Sequence, residues 1–326
     1  MTRKTALLMI GTALLFFGTR TAFSQQAQTG CTPGISYWKL LEAIGVGYTD
    51  GKLRMDAMYA VCLPTPEKQS DSNYPYDPDT GGKLSTIVKR TDGTVLNTYV
   101  WYARNSVGLW ELNGYKVVGG HEAVKPLAAG DYVLEFAMGD RPFYRFPFSV
   151  VEMKSDDPYM PPGARYFIEG AWNDYGNIFY QRNDPESSFR FTTWLQEKSG
   201  RETKRSVSYE VKVVRERDGK MLAEDAGTLR LETRWLKVDF LLRPAGGDKN
   251  AYFKVGEVLR EDGGYSVRFA LDDKPYGRYP FNVKGNRIQF QGRQIRENTD
   301  PMRYIVDYLY GGHYTSWWIQ REGATR

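Results

Sequence analysis

The chain reads as an all-β protein made of two tandem antiparallel β-sandwich units, one a duplicate of the other, with a short N-terminal helix. Three observations predict this. The stretch Gly130 to Val150, GDYVLEFAMGDRPFYRFPFSV, returns 133 positions later, without a gap, as Gly263 to Val283, GGYSVRFALDDKPYGRYPFNV. The copies share Gly130/Gly263, Tyr132/Tyr265, Phe136/Phe269, Asp140/Asp273, Pro142/Pro275, Arg145/Arg278, Pro147/Pro280, Phe148/Phe281 and Val150/Val283, which is the mark of a repeated structural unit. Apolar residues alternate at period two inside both copies, as they do in strands with one buried face. Finally, 23 tyrosines and 8 tryptophans suit half-buried sheets better than a helical bundle.

Each copy predicts a hairpin. Tyr132, Leu134, Phe136 and Met138 share one side of an extended chain, as do Tyr265, Val267, Phe269 and Leu271. Asp140-Arg141-Pro142 and Asp273-Lys274-Pro275 carry turn chemistry, an aspartate able to bond nearby backbone and a proline with preset φ. The return strand then buries Phe146, Phe148 and Val150, or Tyr279, Phe281 and Val283, and turns Arg145 and Arg278 the other way. Pro147 and Pro280 cannot donate a ladder hydrogen bond, which predicts an edge or a bulge at those positions.

The other elements follow in chain order. Residues 1–24 are expected to be a signal peptide: Arg3 and Lys4 precede a short apolar run, Ala6 to Phe17, and small residues at Ala22 and Ser24 suit cleavage after Ser24. Of 44 basic and 39 acidic residues, this segment holds Arg3, Lys4 and Arg20 and no acid. The mature chain is then expected to carry 41 basic against 39 acidic residues, a net charge of +2. That balance provides no broad electrostatic footprint for nucleic acid. About 300 remaining residues suit two units, each able to bury a core. Residues 25–52 form an N-terminal segment whose helix, 36–44, is capped by Ser36 and stopped by Gly45, Gly47 and Gly51.

Unit 1 covers 53–155. It opens with a strand from Leu53 to Leu63 that places Met55, Ala57, Tyr59 and Val61 on one side, and a polar loop from Pro64 to Gly82 follows. Strands at Ile87–Arg90 and Val95–Tyr102 flank the turn Asp92-Gly93, with Leu109–Val118 next. Residues 156–186 form a joint. Unit 2 covers 187–284 and opens the same way, with Val211–Arg215, the turn Asp218-Gly219 and Met221-Leu222. Further strands are expected at Thr228–Leu231, Leu236–Leu242 and Ala251–Leu259. Such spacing is typical of an antiparallel sandwich. Residues 285–326 form a C-terminal aromatic segment. Extended aromatic stretches follow each joint, Phe189 to Lys198 and Tyr314 to Glu322. The last has no unit after it and is expected to dock within the chain, because an unpaired apolar strand invites aggregation.

The pattern Gly-x-Tyr-x-x-x-Phe, a turn, then Pro-Phe-x-Val resembles the last two strands of immunoglobulin-like and macroglobulin-like extracellular modules. The resemblance covers about a fifth of each unit and implies immunoglobulin-like sandwiches. It implies no activity.

Candidate chemistry is sparse. Cys31 and Cys62 are expected to form one disulfide in an exported chain; neither has Cys-x-x-Cys spacing or a nearby histidine for thiol catalysis. His121 and His313 each follow Gly-Gly without metal-ligand spacing and read as turn tips. Asp71, Asn73, Asp77 and Asp79 alternate oxygen ligands as a calcium loop does, but Pro75 and Pro78 interrupt them and no bidentate glutamate follows. Arg145 and Arg278 could receive a ligand carboxylate or phosphate, although pairing with Asp140 and Asp273 is the expected arrangement. Trp172, Trp194, Trp317 and Trp318 could stack on sugars or meet a protein, or they could fill the contact between the units. No P-loop, dinucleotide fingerprint, nucleophile elbow or zinc signature occurs.

The expectation is a non-enzymatic exported protein, periplasmic or secreted, without a cofactor and without a membrane span once the signal is removed. It would act as an adhesive, scaffolding or complex-associated subunit toward another envelope or extracellular protein. The alternative is a carbohydrate-binding accessory protein that uses exposed tryptophan and tyrosine on polysaccharide, and a third reading is a hydrolase with its cleft between the units.

Overall fold

In the computed structural model the described residues are 33–35, 37–64, 66, 73–106, 109–154, 163–181, 183–198, 204–248, 250–289 and 314–324, with side chains left out at 37–39, 61–62, 109 and 314–317. In the first half lie β1 (Gly34–Ile35), α1 (Tyr37–Ala43), β2 (Ile44–Val46), β3 (Leu53–Met55), β4 (Met58–Cys62), β5 (Leu84–Arg90), β6 (Val95–Ser106), β7 (Leu109–Val117), β8 (Gly130–Met138), β9 (Arg141–Met153) and β10 (Arg165–Glu169). The second half contains β11 (Tyr175–Gln181), β12 (Arg190–Leu195), β13 (Lys204–Arg215), β14 (Met221–Glu232), β15 (Leu236–Leu241), β16 (Arg243–Pro244), α2 (Gly256–Leu259), β17 (Gly263–Leu271), β18 (Lys274–Lys284), β19 (Arg287–Ile288) and β20 (Tyr314–Gln320).

The anchor hairpins are β8–β9 and β17–β18, and they match pair for pair. Gly130 faces Val150 and Gly263 faces Val283, and a bulge falls after Phe136 in one copy and after Phe269 in the other. Both glycines hold a positive φ, 149° and 152°, which a side chain would resist. The Tyr132 hydroxyl donates to the Ala128 carbonyl at 2.8 Å, and the Tyr265 hydroxyl to the Glu261 carbonyl at 2.9 Å. Each tyrosine also stacks on the phenylalanine across the hairpin, Phe148 or Phe281, at 5.6 Å. A tyrosine that ties the start of a late strand back to upstream backbone is the corner of immunoglobulin-like sandwiches. Both hairpins turn one residue earlier than expected. Met138 pairs Arg141 and Leu271 pairs Lys274, leaving Gly139-Asp140 and Asp272-Asp273 as the turns. Pro147 and Pro280 lie ahead of the stretches where β10 pairs β9 and β19 pairs β18, so neither faces that outer ladder.

The duplication extends through the sheets. The order β6-β5-β8-β9 in the first unit is repeated by β14-β13-β17-β18 in the second. Strands β4 to β9 of unit 1 lie in one eight-stranded sheet, β1-β4-β7-β6-β5-β8-β9-β10, which β1 and β10 join from outside the expected bounds and which curls until β1 touches β9, while β3 pairs β2 separately. Unit 2 divides the same circuit between a six-stranded sheet, β16-β14-β13-β17-β18-β19, and a four-stranded one, β15-β12-β11-β20.

Several elements differ from the sequence reading. The strand from Leu53 to Leu63 breaks at Asp56-Ala57, where the Asp56 amide donates to the Ala43 carbonyl, so Met58 and Ala60 are buried and Ala57 is exposed. Met221 to Glu232 is one continuous strand, β14. Ala251 to Leu259 is not a strand: the Phe253 amide donates to the Leu242 carbonyl, the Phe253 carbonyl accepts from the Phe189 amide, and the chain then winds into α2 under Pro185. The C-terminal aromatic stretch docks in cis, with β20 paired to β11 from Tyr175↔Gln320 to Gln181↔Tyr314.

The four-stranded sheet is buried on both faces. Phe191, Leu195, Ile178, Val238, Phe240 and Ile319 enter the unit 2 core. On the opposite face Trp194, Tyr175 and Trp318 join the buried cluster that holds the unit 1 core. Because strand side chains alternate between faces, one sheet closes two cores.

Candidate interaction surface

The sequence candidates are placed as follows. Trp172, Trp194 and Trp318 are 1%, 1% and 3% exposed, so they do not form an exposed platform for a sugar. Trp194 and Trp318 stack nearly parallel, at 5.0 Å and 8°. Trp172 stacks on Phe146 of β9 at 5.2 Å and meets Trp235 edge-on, while the Trp235 indole N–H donates to the Ile168 carbonyl at 2.5 Å. These rings join the two units. The Trp317 side chain lies outside the described residues.

Arg145 does not reach Asp140. It pairs with Glu135 across its own hairpin at 3.0 Å, and Lys89 holds the other oxygen of that buried carboxylate. Arg278 does not reach Asp273 either. It pairs with Glu216 at 2.8 Å and with Glu322, whose amide donates to the Arg278 carbonyl at 2.7 Å. Burial raises the Glu216 pKa, but the Ser266 hydroxyl and Arg278 outweigh it and hold the carboxyl below its usual value. Arg278 thus clamps the chain just past β20. Arg321 completes the clamp, with one nitrogen 3.1 Å from Asp174 and its guanidinium over the Tyr276 ring.

The acidic loop folds onto itself. Asp77 accepts from the amides of Asp79 and Thr80, and Asp79 pairs with Lys116. Asn73 is exposed, and Asp71 lies outside the described residues. No group of three or more His, Cys, Asp or Glu side chains arranged to hold a metal ion occurs among the described residues. His121 is exposed after Gly119 and Gly120, both at positive φ, and leans on Tyr115; His313, Cys31 and the Cys62 side chain lie outside the described residues.

A feature absent from the sequence reading is an open strand edge on unit 2. Pairing Val88 with Leu134 and Asn97 in unit 1, and Val213 with Val267 and Ala223 in unit 2, makes Tyr99–Ser106 of β6 the counterpart of Asp225–Glu232 of β14. In unit 1 this whole stretch is covered by β7, from Tyr99↔Val117 to Ser106↔Leu109. In unit 2 the counterpart of β7 is β15, which pairs β12 instead. The outer side of β14 is covered at Ala223 and Glu224 by β16, and the Glu232 carbonyl accepts from the Glu197 amide at 2.7 Å. Between these points, Asp225 to Leu231 has no outer strand partner among the described residues. Ala226, Gly227, Thr228 and Arg230 are exposed there.

The core beneath explains the difference. Trp101 of β6 is fully buried and donates its indole N–H to Thr86 at 2.7 Å. Its counterpart is Gly227, over which lies the Tyr209 ring, 3.1 Å from where a Cβ would stand. Tyr99 is likewise replaced by Asp225, which accepts from the Tyr209 hydroxyl at 3.0 Å. Burial, reinforced by that carboxylate, pushes the Tyr209 phenol up to about 12. With less apolar surface at this corner, there is less to draw β15 onto β14.

No helix among the described residues is long and apolar enough to cross a membrane. No protein-family model and no curated protein matches the chain. Two solved structures align with 78% of it at a TM-score of 0.24. They are glycosyl hydrolase family 2 members from Bacteroides cellulosilyticus and from Bacteroides cellulosilyticus DSM 14838, 11% and 10% identical. The chain spans about a third of their length, covering 35% and 36% of those chains, and a likeness this faint carries no inference.

Proposed function

We propose that this is an exported, non-enzymatic scaffold that binds another protein through the open edge of its second unit. The observation that supports the reading is the backbone of β14 from Asp225 to Leu231, uncovered among the described residues where unit 1 carries a strand. Uncovered strand edges are templates for pairing with another chain, and strand addition is a recurrent mode of protein recognition. Of the residues that a sugar or small-ligand site would use, Trp172, Trp194 and Trp318 are buried, and Arg145 and Arg278 are paired with carboxylates of the chain. Export through residues 1–24, to the periplasm or outside the cell, and a Cys31–Cys62 disulfide belong to the same reading.

A photo-crosslinking amino acid at Ala226 tests it in cells. The expected result is a defined protein adduct that is absent when the same group is placed at His121. Adducts to polysaccharide alone, or none from the edge, would overturn the reading. Catalytic turnover by the purified protein would overturn its non-enzymatic part.

A further inference from the structure

We propose that the occupant of the open β14 edge is the same edge of a second copy of this chain, giving a two-fold dimer with one sheet running across the interface; this rests on the protein-binding reading above. The register of β13 with β14 runs unshifted from Lys204↔Glu232 to Val213↔Ala223. In an antiparallel ladder, backbone groups point alternately toward and away from a given neighbour. The Glu232 carbonyl points outward, to Glu197, so Arg230, Thr228 and Ala226 also present their N–H and C=O groups outward.

This window has a centre. It is closed on one side by Glu224, paired to Arg243 of β16, and on the other by Glu232, bonded to Glu197. Thr228 lies midway. A two-fold axis through Thr228, perpendicular to the sheet, sets Thr228 opposite its own copy and Ala226 opposite Arg230 in both directions. On this axis the partner's Glu232 falls opposite Glu224, where β16 begins, so the paired stretch is Ala226 to Arg230 in each copy. Centring on Gly227 instead would run the partner's last three β14 residues along Leu222 to Glu224, all occupied by β16 and the Ala245 amide.

The side chains fit the same axis. Glu224 and Arg230 share the solvent face of β14, and neither forms an ion pair among the described residues. Across the interface each Arg230 would lie diagonal to the other copy's Glu224, a separation of about 7–8 Å between backbones that long side chains span. Ala226, directly opposite Arg230, leaves room for the stem. On the inner face, half-buried Leu229 would cover the bare Gly227 of the partner. Such self-complementarity is what an isologous contact requires.

Sedimentation velocity over a concentration series, combined with cysteine crosslinking, tests the proposal. The expected result is a reversible dimer that Arg230→Glu weakens about tenfold and that adding Glu224→Arg restores, since two cross-strand charge contacts are altered together. Directly opposed, hydrogen-bonded residues stand about 5.5 Å apart at Cα, within disulfide reach. Thr228→Cys should therefore link two copies under oxidation, whereas Ala226→Cys and the unmodified chain, with only Cys31 and Cys62, should not. Thermal melts check that each variant folds. A monomer throughout the series would overturn the proposal, as would a dimer that Arg230→Glu and Thr228→Lys leave intact and Thr228→Cys fails to link. A monomer whose Ala226 photo-crosslinker still captures a different protein would remove the second copy and leave the protein-binding reading standing. A monomer that captures nothing would remove both.

Discussion

Replacing Trp194 by alanine interrogates the sheet that closes both cores. The ring is 1% exposed and stacks on Trp318 at 5.0 Å and 8°. Truncating a buried tryptophan to alanine costs about 3–5 kcal/mol, from lost transfer energy and the cavity left behind. Stacking accounts for about 0.5–1.5 kcal/mol of such a loss. Domains are stable by only about 5–15 kcal/mol, so the variant should lose a large share of its stability. Trp194 sits on a strand of the unit 2 sandwich, yet it faces the cluster that holds the unit 1 core. Damage should therefore cross between the units. Urea denaturation followed by circular dichroism measures the loss, and hydrogen exchange with mass spectrometry locates it. Exchange should rise in Tyr144–Val150 and Ala171–Asp174 as well as in β12. A double cycle with Trp318→Ala should show coupling of about 1 kcal/mol. A loss below about 1 kcal/mol, or faster exchange confined to residues 190–241, would refute the shared-sheet account.

Tyr132→Phe and Tyr265→Phe each delete one hydroxyl-to-carbonyl bond at corresponding corners and should each cost about 1 kcal/mol in chemical denaturation; a strongly unequal pair would mean the two corners do different work. Arg278→Ala should raise hydrogen exchange across Tyr314–Gln320 and leave β8 and β9 unchanged, because it removes the side-chain grip on Glu322 while β20 keeps its ladder to β11. Acid should act through depressed carboxyls. Arg215 and the Lys220 amide hold Asp218 at about 2, and the Ser208 amide with Arg205 keeps Asp272 below the usual carboxylate range. Both folded values lie under the unfolded one, so the stability they add is complete above about pH 4 and disappears as pH falls toward 2. Thermal melts from neutral pH downward should show that loss, and Asp272→Asn should flatten it.

The hairpins were legible because their causes are local: period-two apolar rows, and turn residues whose φ is special. The duplicate could be read for the same reason, as could the helix at 37–43 and the two Asp-Gly turns. Other features depend on distant partners. Trp194 and Phe191 are both buried although they point in opposite directions, because the strand has a core on either side, and an alternating pattern read for one buried face misses that. Arg278 finds Glu216 and Glu322 rather than its sequence-near aspartate, and Arg145 finds Glu135, since pairing follows register across strands. The winding at Gly256–Leu259 was hidden among β-formers; Val255 and Val258, three apart and both buried, were its only trace. The open edge of β14 was invisible because nothing within Asp225–Leu231 says which strand β15 will choose. The substitution of Trp101 by Gly227 is the physical signal, and it emerges only when the two units are laid over each other.

Joining the copies through a common sheet has a mechanical consequence. Tandem modules on exposed linkers swing, since their mutual contacts are small and polar. Here a tensile load applied to one copy passes into the other through packed indole rings, the Trp235 bond to the Ile168 carbonyl and the Arg234–Asp56 and Lys198–Glu169 ion pairs, leaving little freedom to pivot. On the proposed protein-binding reading, a partner seated on β14 would be held at a fixed bearing to the first unit.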